Sequence, residues 1–106
     1  MGNYNKVVRD QVPGMLRTSG LKVVTRTARG KELHKALRAL LDEELAAYDA
    51  APDELQAADA LVDLLEIVTA IAKERGYSEA RLAQLRATVT AQHGAFELGI
   101  FLVSAQ

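Results

Sequence analysis

The chain has no cysteine and no tryptophan, only two prolines, and an aromatic content of just 5 %. Without cysteine there are no disulfides and no thiolate metal sites. Two histidines, His34 and His93, stand far apart, which argues against a histidine-built zinc site. Scarce aromatics, with Ala and Leu dominant, favour packed helices over a β-sandwich. No window approaches the roughly 20 apolar residues needed to span a bilayer. The start of the sequence shows no charged segment followed by an apolar run, so no secretory signal is expected. Basic residues are not interleaved with aromatics, so no nucleic-acid surface is expected. A cytoplasmic protein without membrane contact is the expectation.

What is present suits one small domain spanning 1–106: 106 residues, 49 % of them apolar. The net charge of −1 hides an asymmetry. Residues 1–40 hold nine Lys/Arg against two acids, and residues 41–80 hold two against eleven. A basic segment beside an acidic one suggests a site that handles an anion through a cation. The bland alternative is that the two halves pair across the surface.

Punctuation divides the chain into elements. Tyr4 to Val8 is short and leans toward β structure. Asp10 to Leu16 predicts a short helix with Pro13 in its first turn, where a missing N–H costs little. Leu21 to Thr27 is rich in Val and Thr and reads as a strand. Lys31 to Ala50 predicts the first long helix. Ala51-Pro52-Asp53 breaks it, because Pro52 forces its predecessor out of the helical region. Asp53 is a candidate N-cap for a second helix reaching about Arg75 and closed by Gly76. Ser78 opens a third, running to about His93, where Gly94 stops it. Phe96 to Val103 reads as a second strand, able to pair with Leu21–Thr27.

One position breaks the pattern of the first long helix. Leu33, Leu37, Leu40, Leu41 and Tyr48 form its apolar stripe, and Glu44 falls in the middle of it. A carboxylate facing a core is costly unless a cation, a metal or a hydrogen-bond network meets it. Glu43 points about 100° away, over the flank of Ala36 and Ala47. On the next helix Asp59, Asp63 and Glu66 (i, i+4, i+7) lie within about 60° of one another. Two helices offering carboxylates to a shared interior are one way to build a Mg²⁺ site, completed by water and substrate phosphates. The plain alternative makes the acidic stripe a solvated face and pairs Glu44 with Arg9 or Arg38. Tyr48 is expected to pack in the core. His93 is expected to complement a helix C-terminus.

The second long helix is apolar around most of its circumference, with Leu55, Leu61, Val62, Leu64, Leu65, Ile67, Val68 and Ile71. Three long helices cannot cover such a helix completely, so self-association is expected.

Four segments, in order, carry a resemblance. Tyr4-Asn5-Lys6-Val7-Val8-Arg9-Asp10-Gln11-Val12-Pro13 resembles the YNKLVRDKIP opening of MazG-like, all-alpha nucleoside triphosphate pyrophosphohydrolases, the phosphoribosyl-ATP pyrophosphohydrolase-like group. Leu41-Asp42-Glu43-Glu44 and Ala60-Leu61-Val62-Asp63-Leu64-Leu65-Glu66 fall where that group has EExxE and ELADVLE elements. Gly94-Ala95-Phe96-Glu97-Leu98-Gly99-Ile100-Phe101-Leu102 resembles its GGFEKRIFL close. The resemblance implies a homodimeric or homotetrameric helical bundle that cleaves a nucleoside triphosphate to the monophosphate and pyrophosphate with Mg²⁺. It implies Glu44 and Asp63 as metal ligands, Glu43 and Glu66 as assisting catalytic carboxylates, and Lys6 and Arg9 at the substrate phosphates. Two further ligands of the pattern are replaced, by Ala47 and Ala60. Near the close, His93 stands for the usual Arg and Gln92 for an acid. Glu66 is better placed than Asp59 to compensate, since Asp59 points about 100° away from Ala60.

The expected fold is therefore mainly α: a helical bundle with a small two-stranded β element, oligomeric. The expected function is a pyrophosphohydrolase-like activity with a depleted metal site. Its rival is an inactive relative serving as a nucleotide-binding or protein-interaction module.

Overall fold

A computed structural model describes residues 5–106 of the chain; Tyr4, the first residue of the opening motif, lies outside them. Four helices follow one another: α1 (Val12–Thr18), α2 (Gly30–Ala50), α3 (Glu54–Glu74) and α4 (Glu79–His93).

Local chemistry accounts for the helix ends. Pro13 lies in the first turn of α1, where its ring costs no hydrogen bond. The Asp53 carboxylate accepts the Gln56 N–H at 2.8 Å and caps α3, and Ser78 Oγ accepts the Arg81 N–H at 3.1 Å and caps α4. Gly76 (φ +91°) and Gly94 (φ +83°) adopt the left-handed conformation just beyond α3 and at the end of α4, where a side chain would be strained. At the start of α2, Arg26 grips Glu32 with both guanidinium nitrogens at 2.8 Å. That grip holds the Glu32 carboxyl below its ordinary value.

The three-residue break at 51–53 folds α2 and α3 into a helical hairpin, the main packing unit of the molecule. Leu37 of α2 meets the α3 face carrying Ala60 and Ile67, and these are among the few buried residues. α4 packs more lightly on α3, and α1 packs on none of the other helices.

Two expectations need correction. No strand forms among the described residues: Leu21–Thr27 and Phe96–Val103 run without regular structure. Their Val-rich and Phe/Leu-rich stretches have strand propensity, but two isolated strands gain too little to pair unless a covering layer packs on them. Val24 is 97 % exposed, so among the described residues nothing covers it. Tyr48, expected in the core, is 42 % exposed, on the last turn of α2.

The molecule is elongated, 61 × 36 × 22 Å, with a radius of gyration of 17.8 Å. A compact chain of this length would have about 13 Å. Among the described residues no large side chain is fully buried. No described helix is long and apolar enough to cross a membrane.

Candidate functional site: a carboxylate cluster with two cations

The α2–α3 hairpin brings the acidic residues of both helices to one seam. Glu44 lies on the α3-facing stripe of α2 and is partly buried. Across the seam stands Asp63 of α3, close enough to share a hydrogen bond with it. The Glu44 carboxyl is held above its ordinary value. Burial is the largest cause, followed by the charge of Asp63, the hydrogen bond to Asp63 and the charge of Glu43, while Lys6 opposes them. Two facing carboxylates repel, and a shared proton or a cation relieves that repulsion.

The cations come from the segment before α1. Lys6 Nζ donates to Glu43 Oε1 at 2.9 Å. Arg9 Nη2 donates to Asp63 Oδ1 at 2.6 Å, and its Nη1 lies 3.7 Å from Glu66 Oε1. Glu43, Glu44, Asp63, Glu66, Lys6 and Arg9 are thus gathered from three separate segments. Among the described residues the alternative pairing of Glu44 with an arginine is not found: Arg9 turns to Asp63 and Glu66, and Arg38 bonds Asp42 one turn along its own helix at 2.6 Å.

Ala47 and Ala60 differ in surroundings. Ala47 is exposed, whereas Ala60 is only 4 % exposed. Any space that a small residue leaves at position 60 is filled by helix packing. His93 ends α4 in its last turn, as the helix dipole favours.

A divalent cation can be tested against the donor set. Among the described residues no group of three or more Asp, Glu or His is placed to hold a metal ion. The facing pair Glu44 and Asp63 offers hard oxygen donors and excess negative charge. Mg²⁺ is commonly held by one or two carboxylates, with water and substrate phosphates filling the rest of its octahedron. The pair fits a cation that arrives with a phosphate ligand, and does not fit a cage built wholly by protein.

Elsewhere, an open depression of about 430 Å³ is lined by Gly30, Lys31, His34, Glu74, Arg75 and Tyr77. None of the cluster residues borders it. Nothing in the sequence pattern links Lys31 with Arg75; the hairpin alone brings the start of α2 to the end of α3.

The chain matches no family model, no curated protein and no solved structure.

Proposed function

We propose that the chain is a MazG-like nucleoside triphosphate pyrophosphohydrolase domain with a reduced metal site, working as a homodimer or homotetramer. The observation that carries this reading is the convergence of two cations and four carboxylates at one seam. Cations to hold phosphates, beside carboxylates to hold a metal and take up a proton, are the two halves of phosphoanhydride hydrolysis.

Glu44 and Asp63 would hold Mg²⁺. When bound, the ion neutralises phosphate charge and lowers the pKa of water. Arg9 and Lys6 leave Asp63 and Glu43 for the substrate phosphates, with Arg9 able to grip two oxygens at once. Glu43, freed from Lys6, accepts the proton of the attacking water, and Glu66 flanks the α3 side of the reacting group. Water adds at the α-phosphorus and the α–β phosphoanhydride bond breaks. The products are a nucleoside monophosphate and pyrophosphate.

The test is pyrophosphate release from a panel of NTPs and dNTPs with Mg²⁺ or Mn²⁺. Glu44→Gln should lower the rate sharply, because it removes one of the two carboxylates assigned to the metal. Release no greater than that of Glu44→Gln, for every substrate, overturns the reading.

One observation favours a second reading. Arg9 occupies Asp63 at 2.6 Å, and Ala47 and Ala60 remove two carboxylates from the pattern. A module that binds a nucleotide or a protein partner without turnover would need no more. Saturable nucleotide binding without pyrophosphate release is its signature.

A further inference from the structure

The depression between the start of α2 and the end of α3 has no part in the chemistry proposed for the seam. Lys31 and His34 reach it from α2, and Glu74, Arg75 and Tyr77 from the end of α3 and the residues just beyond. Lys31 precedes Glu43 by roughly 18 Å of helix, at about 1.5 Å per residue.

Local structure fixes the basic groups there. Lys31 and His34 are three apart on one helix, so they share a face. On the other wall Gly76 adopts φ +91°. Its N–H donates to the Lys73 carbonyl at 3.0 Å, and the Tyr77 N–H donates to the Ala72 carbonyl at 2.9 Å. That paired closure of α3 sets the backbone of Arg75 and Tyr77 on either side of the glycine. Glu32, the acid in the first turn of α2, is gripped on both oxygens by Arg26.

The cations of this depression are left over. Lys6, Arg9, Arg26 and Arg38 each rest on a carboxylate. Among the described residues no carboxylate is in ion-pair reach of Lys31, His34 or Arg75. Glu74 is the acid among the lining residues, and it is exposed. The first N–H groups of α2, at Gly30 and Lys31, have no acceptor within the helix, and no side chain caps them.

We propose that this depression binds the phosphate of a small phosphorylated molecule. Lys31, His34 and Arg75 donate to the phosphate oxygens, and the Tyr77 ring walls the organic part. Arginine's planar fork matches two oxygens at once, and lysine adds a point charge. The volume, about 430 Å³, falls at the lower end of the roughly 300–1,000 Å³ of small-molecule sites. That leaves room for more than a bare oxyanion. Tyr77, 42 % exposed, is the aromatic residue at hand for the remainder. The site does not rest on turnover at the seam and holds equally for an inactive chain.

The test is an NMR titration of the isotope-labelled full chain, in EDTA and at constant ionic strength, with inorganic phosphate and with phenyl phosphate. Saturable shifts are expected at the amides of Gly30, Lys31, His34, Arg75 and Tyr77, with phenyl phosphate the tighter ligand. Lys31→Gln and Arg75→Gln should each weaken binding about fivefold or more. Glu74→Gln should tighten it, since a repelling charge is removed. Arg86→Gln takes an equal charge from α4, outside the depression, and should leave affinity unchanged. Shifts that never saturate, or an Arg86→Gln chain weakened as much as Arg75→Gln, reduce the effect to diffuse charge and overturn the site. Shifts confined to the segment of Lys6 and Arg9 overturn it as well, and support phosphate binding at the seam instead. Equal affinity for the two probes overturns the role of Tyr77 and, with it, the class of ligand.

Discussion

Arg9 and Asp63 stand 54 positions apart in the chain, and the Arg9 guanidinium meets the Asp63 carboxylate at 2.6 Å. The same arginine lies 3.7 Å from Glu66, one turn further along α3. It bridges the two acids that α3 offers to the seam and ties the segment before α1 to the hairpin. Both partners are partly open to water, with side-chain exposures of 51 % and 37 %. The pair therefore contributes little to stability, under about 1 kcal/mol.

Replacing Arg9 separates its two roles. Arg9→Ala should leave the melting temperature nearly unchanged, since the lost pair is solvent-screened. Affinity for Mn²⁺ in the absence of nucleotide should rise, because Asp63 and Glu66 lose a competing cation. Affinity for a non-hydrolysable nucleotide triphosphate should fall. Calorimetric titration with each ligand reads both effects, and a shift of both in the same direction contradicts the assignment.

Glu44 gives a pH signature. Its carboxyl is raised by burial and by Asp63, so the folded chain binds that proton more tightly than the unfolded chain does. The stabilisation is fully present below the unfolded carboxyl value and is lost as pH rises through the folded one. At neutral pH the charged Glu44 opposes folding. In metal-free buffer Glu44→Gln should raise the melting temperature at pH 7 and give a smaller gain, or none, near pH 4. Thermal denaturation at the two pH values decides it, and a lower melting point at pH 7 counts against the assignment.

Restoring the two absent carboxylates should have unequal effects. Ala47→Glu adds a charge on an exposed face and should hardly alter stability. Ala60→Glu forces a larger, charged side chain into a position 4 % exposed, and should cost about 2 kcal/mol or more. Millimolar Mg²⁺ should recover part of that loss by binding only the folded form. Differential scanning calorimetry with and without Mg²⁺ checks it. An Ala60→Glu chain as stable as the parent without metal would contradict the packing described.

The helix caps set a purely structural scale. Asp53→Ala and Ser78→Ala each remove one acceptor of an otherwise unpaired helix N–H and should cost about 1 kcal/mol apiece. Glycine at either position should cost only a few tenths. Because the caps belong to different helices, the double variant should show their sum. Urea denaturation measures all of these.

Helix limits and caps were legible because their causes are local. Pro52, Asp53, Gly76, Ser78 and Gly94 each act within a few residues, and α2, α3 and α4 begin and end within a residue or two of the expected places. The inward position of Glu44 was legible from helical phase alone. The partner of Arg9 was not. Four carboxylates lie within reach of the seam, and which one a cation chooses depends on how a segment without regular structure crosses two packed helices. The strands were misread for a related reason. Propensity is local, but a strand exists only when another strand and a covering layer meet it, and neither Val24 nor Phe101 has such a layer.

Lys6 and Arg9 belong to a segment with no helix or strand of its own, held to the seam by exposed ion pairs. They act as counter-ions on a leash. A short flexible tether presents its end group at an effective concentration in the millimolar range. Any cation offered to the seam would meet a built-in rival whose concentration is set by chain length and not by the surrounding solution. The rival weakens as salt rises, since the Debye length shrinks from about 10 Å at 0.1 M to 3 Å at 1 M. Ionic strength thus sets how firmly Lys6 and Arg9 hold the carboxylates of the seam.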